Sequence, residues 1–473
     1  MALKKGDRML SAIMAEGPPP AAGPPYFEQV STNIFLLDVF YMICAVAIIV
    51  GILGTTLVDA SIVRKKNQVD TFIQKIVGMM ISAAGFFIIG FGIWMWQYYD
   101  VYGFADPLTA AIKDWWFAGE KLLNPSTFFN PKDPNPSIAG SNFEVDVFQV
   151  FFVFFVTFIA FGASLLHSAG LERIKARAFY VMAFFLGAIV MPVVLYLTWG
   201  SASPLTNNGT HDYVGLFALY ITVGVWAVIL AWRLGPRLGT FDVHPRTSGP
   251  APTDLSKATM GVLILMSAIP FIALGCGFIV PDFGYFGISL TSSSFGLALV
   301  NVFAAYAGGA IMGGILAYRK RNVFWAILGP LSGYISGTAL FDITKPWIMF
   351  LVALGGPICA YLTYNLLLKF KIDEPKVAPL VLGPGIYAAL IPGIVEMGTR
   401  TGGFFGITEG EFAFQNAKIT LGWQAAGLGV TIAIALVTGL IVIMGCEKTI
   451  GIRVSEEDEI KGLDVAYWNI PQD

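Results

Sequence analysis

The sequence predicts an all-α polytopic membrane protein of about eleven transmembrane helices, each roughly 17 to 25 residues long. Composition is the first reason. Of 473 residues, 56% are hydrophobic and 13% charged, and mean hydropathy is +0.70; the charged share is about half that of a soluble domain. The second reason is the spacing of the apolar runs, and the third is a bias of basic residues toward alternate loops. Net charge is −2, so bulk charge suggests no nucleic-acid partner.

The runs fall near 35–56, 73–96, 147–168, 178–199, 213–233, 257–280, 293–318, 324–341, 346–368, 377–395 and 422–446. The eighth is short and the tenth interrupted. Basic groups follow the odd-numbered spans: Arg64, Lys65 and Lys66; Arg173, Lys175 and Arg177; Arg233, Arg237 and Arg246; Arg319, Lys320 and Arg321; Lys369, Lys371 and Lys376. The other loops are poorer, with Lys113, Lys121 and Lys132 scattered and Lys345, Arg400 and Lys418 isolated. This pattern predicts an outside N-terminus and an inside C-terminus, against the vote of Lys4, Lys5 and Arg8. Three parts follow: a Pro-rich extracytoplasmic tail over 1–33, a transmembrane domain over 34–447, and a cytoplasmic tail over 448–473. A multi-pass place in the cell (inner or plasma) membrane is the expectation.

The most unusual run is Ile372 to Val395, cut by Gly383, Pro384, Gly385, Pro392 and Gly393. Proline removes a backbone donor and glycine admits a neighbouring backbone, so this helix must be wrapped by protein. Broken helices of this kind tend to line pores or binding sites. Gly309 and Gly313, and Gly329, Gly333 and Gly337, form GxxxG ridges that predict a tightly packed bundle. In the 97–146 loop, Ala105 to Leu123 is amphipathic, and Trp115, Trp116 and Phe117 suit a headgroup belt. Asn208-Gly209-Thr210 reads as a chance sequon. Cys44, Cys276, Cys359 and Cys446 lie in apolar runs and read as packing residues. His167, His211 and His244 are too scattered for a metal cluster. No nucleophile–base spacing, metal-ligand set or phosphate loop points to an enzyme or a cofactor. Glu172 and Arg173, at a helix end, read as a structural ion pair.

Several stretches resemble the ammonium transporter (Amt/Mep/Rh) family. SIVRKKN (Ser61–Asn67) is similar to its GLVRxKN, and IGIRVSEEDEIKGLDVAYW (Ile450–Trp468) to its cytoplasmic GLRVSEEEExEGLD. Asp212-Tyr213-Val214-Gly215 followed by ITVGV resembles DFAGGTVVHINAGV on the fifth span. Weaker echoes are Gly170-Leu171-Glu172-Arg173, Asn301, and Ile372-Asp373-Glu374, all in the family's order. The resemblance implies a five-plus-five inverted repeat around a narrow apolar pore, an eleventh helix strapped across it, and a homotrimer in the lipid bilayer. It implies ammonium or ammonia as substrate. It also implies a tail that touches neighbouring subunits and serves regulators of the PII class.

The pore chemistry departs from the family. Its twin histidines fall on Tyr220 and Leu382 in gapless alignment, its neighbouring asparagine on Thr222, and the last aspartate of its GIDDSLD pattern on Val377. Tyr220 offers one hydrogen bond but, with an ordinary pKa near 10, carries protons poorly at neutral pH. The resemblance places two phenylalanines one helical turn apart, the outer one forming the gate, on Phe154 and Phe158, and a cation-attracting aromatic of the outer mouth on Trp199. It places the buried outer aspartate, a helix cap, on Asp212 and a second gate on Phe278 or Phe283. Two functions follow. One is an ammonium/ammonia transporter-like channel with altered pore chemistry. The other is a non-conducting ammonium sensor, or a structural subunit of a larger membrane assembly.

Overall fold

The computed structural model describes residues 32–101, 103–123, 145–200, 203–242, 253–280, 284–288, 292–401 and 417–470. Among them, ten helices are long and apolar enough to cross a membrane. They are α1 (Phe35–Ala60), α2 (Lys65–Asp100), α3 (Gln149–Ser168), α4 (Ala176–Thr198), α5 (Phe217–Leu234) and α6 (Leu255–Gly275). After these come α7 (Phe295–Lys320), α9 (Pro346–Lys369), α10 (Ala378–Val395) and α11 (Leu421–Thr449). The run expected at 324–341 folds as a shorter helix, α8 (Phe324–Ser336), of 13 residues. Gly337 takes its C-cap and loose turns lead on to Pro346. A length of 13 residues is about 20 Å of helix, short of the hydrocarbon core. The all-α expectation also misses a small antiparallel sheet between α6 and α7, with β1 (Gly277–Val280), β2 (Gly284–Gly287) and β3 (Ser292–Ser293) in that order.

Four of the long helices contain a π-turn: Phe86–Gly90 in α2, Leu186–Val190 in α4, Phe217–Thr222 in α5 and Ala378–Leu382 in α10. Each inserts an extra residue into the helical register, which periodicity in a sequence does not reveal. Tyr220 and Leu382 both lie inside such turns. The glycine ridges do what the sequence predicts. A Cβ on Gly309 would stand 2.3 Å from the Gly329 carbonyl oxygen, and one on Gly333 would stand 2.5 Å from the Ala305 oxygen. Helices α7 and α8 therefore touch backbone to backbone.

The loops expected to be basic gather on one face together with the C-terminal tail. The Glu172 carboxylate takes hydrogen bonds from Arg64 Nη1 at 2.8 Å, Arg64 N at 2.6 Å and Asn67 Nδ2 at 2.7 Å. Arg237 grips Asp373 through Nε at 2.8 Å and Nη2 at 3.0 Å, and Arg173 Nη2 donates to the Asp373 carbonyl at 2.6 Å. Burial alone would raise the Asp373 carboxyl, but the two guanidinium groups hold it well below the usual carboxylate range. Burial pulls the Arg173 guanidinium down to about 10. The tail docks on this network. Leu463 N donates to Asn67 Oδ1 at 2.8 Å, Asp464 accepts from Val69 and Asp70 backbone N–H, and Trp468 Nε1 donates to Asp70. We call this side the tail face. On the far side, a short helix (Pro107–Trp115) carries the predicted amphipathic piece. Its Trp115 is fully buried, edge-on to Phe91 at 5.3 Å, while Trp116 and Phe117 are exposed as a belt requires. The Pro-rich segment, apart from its last two residues, lies outside the described residues.

Candidate functional site

Two neighbouring spaces lie in the bundle toward the tail face. A vestibule of about 710 Å³ is walled in part by Arg237, Lys320, Arg321, Asp373, Glu374 and Lys376. Deeper in lies a narrow cavity of about 50 Å³. Its walls are nearly all apolar: Phe161 and Leu165 from α3, Leu219 from α5, Leu265 and Ile269 from α6, and Leu380 and Val381 from α10. The Tyr220 and Tyr334 side chains bring phenolic groups to it. Lys376 and Leu380 border both spaces.

Of the pore residues singled out from the sequence, Tyr220 alone is on the cavity wall. Leu382 is not among its lining residues; it packs against α5, where a Cβ on Gly224 would stand 2.6 Å from its own Cβ. The π-turn in α10 rotates the face presented inward, so Leu380 and Val381 line the space instead. Thr222 turns its hydroxyl back to the Phe217 carbonyl at 3.0 Å, which places it inside the α5 π-turn and off the cavity wall. Phe154 and Phe158 do sit one above the other, with centroids 6.5 Å apart, and Phe158 stacks on Trp199 at 5.4 Å. All three rings are fully buried. Trp199 thus has no open face for a cation, and its Nε1 donates to the Tyr213 carbonyl at 3.1 Å. These rings form a plug on the far side of the cavity from the tail face. Asp212 caps α5 as expected, accepting from Leu216 N at 2.8 Å and Phe217 N at 3.1 Å. Burial pushes its carboxyl up to about 7. Phe278 lies in β1 opposite Phe286, and Phe283 lies outside the described residues.

The structure adds a charged cluster at the inner end of the cavity. Asp59, at the end of α1, is fully buried and accepts from Lys75 Nζ at 2.6 Å, from Lys376 Nζ, and from Ser168 Oγ at 2.7 Å. Lys75 also reaches the Ser164 carbonyl at 2.6 Å, and both lysines donate to Ser168 Oγ at 3.2 Å. Two ammonium groups share one carboxylate, so with all three ionised the cluster carries one net positive charge. The basic-loop pattern counted Lys376 as an orientation signal, and Lys75 lies inside an apolar run. The one clue available was a charge where a membrane helix rarely tolerates one.

A second buried pair stands near the aromatic plug. His211 Nε2 meets Asp342 Oδ1 at 3.1 Å and Nδ1 meets Thr401 Oγ1 at 2.7 Å. Burial opposes charging of this imidazole, but the Asp342 carboxylate outweighs it and raises the pKa above the usual histidine value. A raised folded-state pKa gives stability that is full below about pH 6.5 and is lost as pH rises through the folded value. The melting temperature is therefore expected to fall from mildly acid to alkaline buffer, and His211→Gln to flatten that slope. Thermal unfolding across pH in detergent checks this; an unchanged slope in the variant would assign the dependence elsewhere.

A family model described as Ammonium Transporter Family matches residues 39–470. The chain is similar to "Ammonium transporter Amt1" of Methanocaldococcus jannaschii, at 28% identity over 62% of this chain and 70% of that protein. It is also similar to "Putative ammonium transporter 1" of Caenorhabditis elegans, at 26% identity over 90% and 77% of the two chains. Among solved structures, a "Sensor Amt Protein" aligns with a TM-score of 0.70 at 22% identity, covering 92% of this chain and 98% of that one. Mep2 of Candida albicans aligns with a TM-score of 0.67 at 18% identity, covering 92% and 90%. At these identities the structural likeness concerns the fold.

Proposed function

The chain belongs to the ammonium transporter family, and from that premise we propose that it is an ammonium/ammonia transporter-like channel protein with altered pore chemistry, passing the neutral base rather than the cation. The observation that carries this reading is the ending of an apolar cavity on the Lys376–Asp59–Lys75 cluster. A bare ammonium ion entering such a space loses its hydration and meets an excess positive charge, at a cost of several kcal/mol. Neutral ammonia carries no such penalty, and its lone pair accepts from the Tyr220 hydroxyl or a lysine ammonium. Tyr220 and Leu382 fall where the family has histidines in gapless alignment, and no histidine is among the residues that line the cavity, so in this reading the route for a proton beside the base is gone. In this reading the five-plus-five repeat is closed by α11, α8 counts as the eighth of eleven spans, and the N-terminus lies outside. The tail face is then cytoplasmic, the assembly a homotrimer in the cell membrane, and the docked tail the surface for a PII-class regulator or another membrane subunit.

A second reading, a non-conducting sensor or assembly subunit, is favoured by the full burial of Trp199, Phe154 and Phe158. Proteoliposomes with an internal pH dye separate the two. Imposed ammonium gradients are expected to alkalinise them faster than empty liposomes, with no current on a solid-supported membrane. Tyr220→Phe is expected to slow the flux by roughly 2- to 10-fold, the worth of one hydrogen bond. A saturable current would overturn selectivity for the neutral base. Alkalinisation no faster than in empty liposomes would overturn transport and leave the second reading.

A further inference from the structure

Lys376 brings to the inner end of the cavity the same chemical group that the family handles: a nitrogen with N–H donors and one positive charge. Its ammonium is seated on three acceptors from two helices. These are a carboxylate oxygen of Asp59, the Ser168 hydroxyl at 3.2 Å and the Thr55 carbonyl at 3.4 Å. The lysine side chain is 3% exposed and the aspartate 0%. A carboxylate, a hydroxyl and a carbonyl converging on one –NH3+ match the three donors of that group. Lys376 also borders both the vestibule and the cavity, so the cradle lies at the partition between them.

We propose that Asp59, Ser168 and the Thr55 carbonyl form a binding site for ammonium or a small primary alkylammonium ion, occupied in this structure by the Lys376 side chain as a tethered surrogate. Lys376 is then the chain's own competitor for the site. While seated it closes the passage between cavity and vestibule; a free ammonium ion arriving from the vestibule takes its place as the lysine swings out. An incoming ammonium has four N–H donors. Three satisfy the cradle and the fourth points along the line vacated by the lysine methylenes. The titratable groups facing the site stay as they are: Lys75 from α2 on the other Asp59 oxygen, His167 from α3 near the lysines, and Glu374 from Lys376's own loop. The exchange of one monovalent cation for another leaves their balance unaltered. This inference rests on ammonium being the family substrate, though not on whether the pore conducts, because a sensor needs such a site as much as a channel does.

The test is chemical rescue. Lys376→Ala empties the cradle without touching Asp59, Ser168 or the backbone of Thr55. Its melting temperature is expected to be below that of the unmodified protein in sodium chloride. In matched ammonium or methylammonium chloride it is expected to rise by a few degrees with increasing concentration. Tetramethylammonium, which has no N–H donor, is expected to do nothing, and Asp59→Asn combined with Lys376→Ala is expected to remove the response. Equal melting in sodium and ammonium would overturn the site. The variant is to be purified in both salts. Recovery in ammonium alone supports the site, and loss in both overturns it, since a free ion then fails to replace the lysine. Flux in liposomes without rescue would sink this inference and leave the proposed function standing. Rescue without flux would do the reverse, and would favour sensing.

Discussion

Gly309→Leu is expected to abolish recovery of folded protein, whereas Gly314→Leu, only five residues further along the same helix, is expected to be tolerated. The difference is geometric. A Cβ on Gly309 would stand 2.3 Å from the Gly329 oxygen and 2.8 Å from Gly333 Cα, while one on Gly314 would meet nothing within 4 Å. A flexible side chain can yield to an added carbon, but here the obstacles are backbone atoms of α8. The clash is relieved only by moving the two helices apart, which also opens the reciprocal contacts of Gly329 and Gly333. Ordinary overpacking costs about 1–3 kcal/mol, and separating a helix pair that has no hydrophobic driving force to re-form it in lipid exceeds that. Size-exclusion profiles and melting curves of the two variants, expressed side by side, check the expectation. Similar yields would mean that the α7–α8 contact is dispensable.

The glycine spacing that makes this contact was readable in the chain because close packing needs only small residues at a fixed interval. Membrane spans and tail were equally legible, since length, apolarity and a long motif are local properties. The site was not. Gapless counting carried Leu382 into the pore, but the extra residue of the α10 π-turn sets it against Gly224 and turns Leu380 and Val381 inward. Thr222 fails for the same reason on α5. Phe154 and Phe158 lie with ring centroids 6.5 Å apart and Phe158 stacks on Trp199, yet all three rings are buried. The Asp59–Lys75–Lys376 cluster joins residues more than 300 positions apart, and nothing local in the sequence pairs a carboxylate on the first helix with an amine before the tenth. The run at 324–341 is apolar enough for a span, and what its sequence does not show is that Gly337 caps the helix after 13 residues.

The tail face holds the second large effect. Asp373→Asn is expected to destabilise the protein by about 3–5 kcal/mol, the cost of removing one partner from a buried ion pair. Asp373 is buried, and the change would leave Arg237, 9% exposed, and Arg173, 1% exposed, without the carboxylate that compensates them. Glu447→Gln breaks an ion pair of equal length, 2.8 Å to Arg233, but those side chains are 31% and 30% exposed. Water takes over for the lost partner there, and the cost is expected to stay within about 1 kcal/mol. The pH dependence follows from the sign of the shift. Because Arg237 and Arg173 hold the Asp373 carboxyl below its unfolded value, its contribution is complete at neutral pH. It drains away only as pH falls below about 4, toward the folded value. The unmodified protein is therefore expected to lose stability steeply in strong acid, and Asp373→Asn to lose less over the same interval from a lower starting point. Melting temperatures at neutral and acid pH check both claims. Equal losses for Asp373→Asn and Glu447→Gln at neutral pH would show that the clasp joining the α5–α6 and α9–α10 loops adds nothing beyond a surface pair.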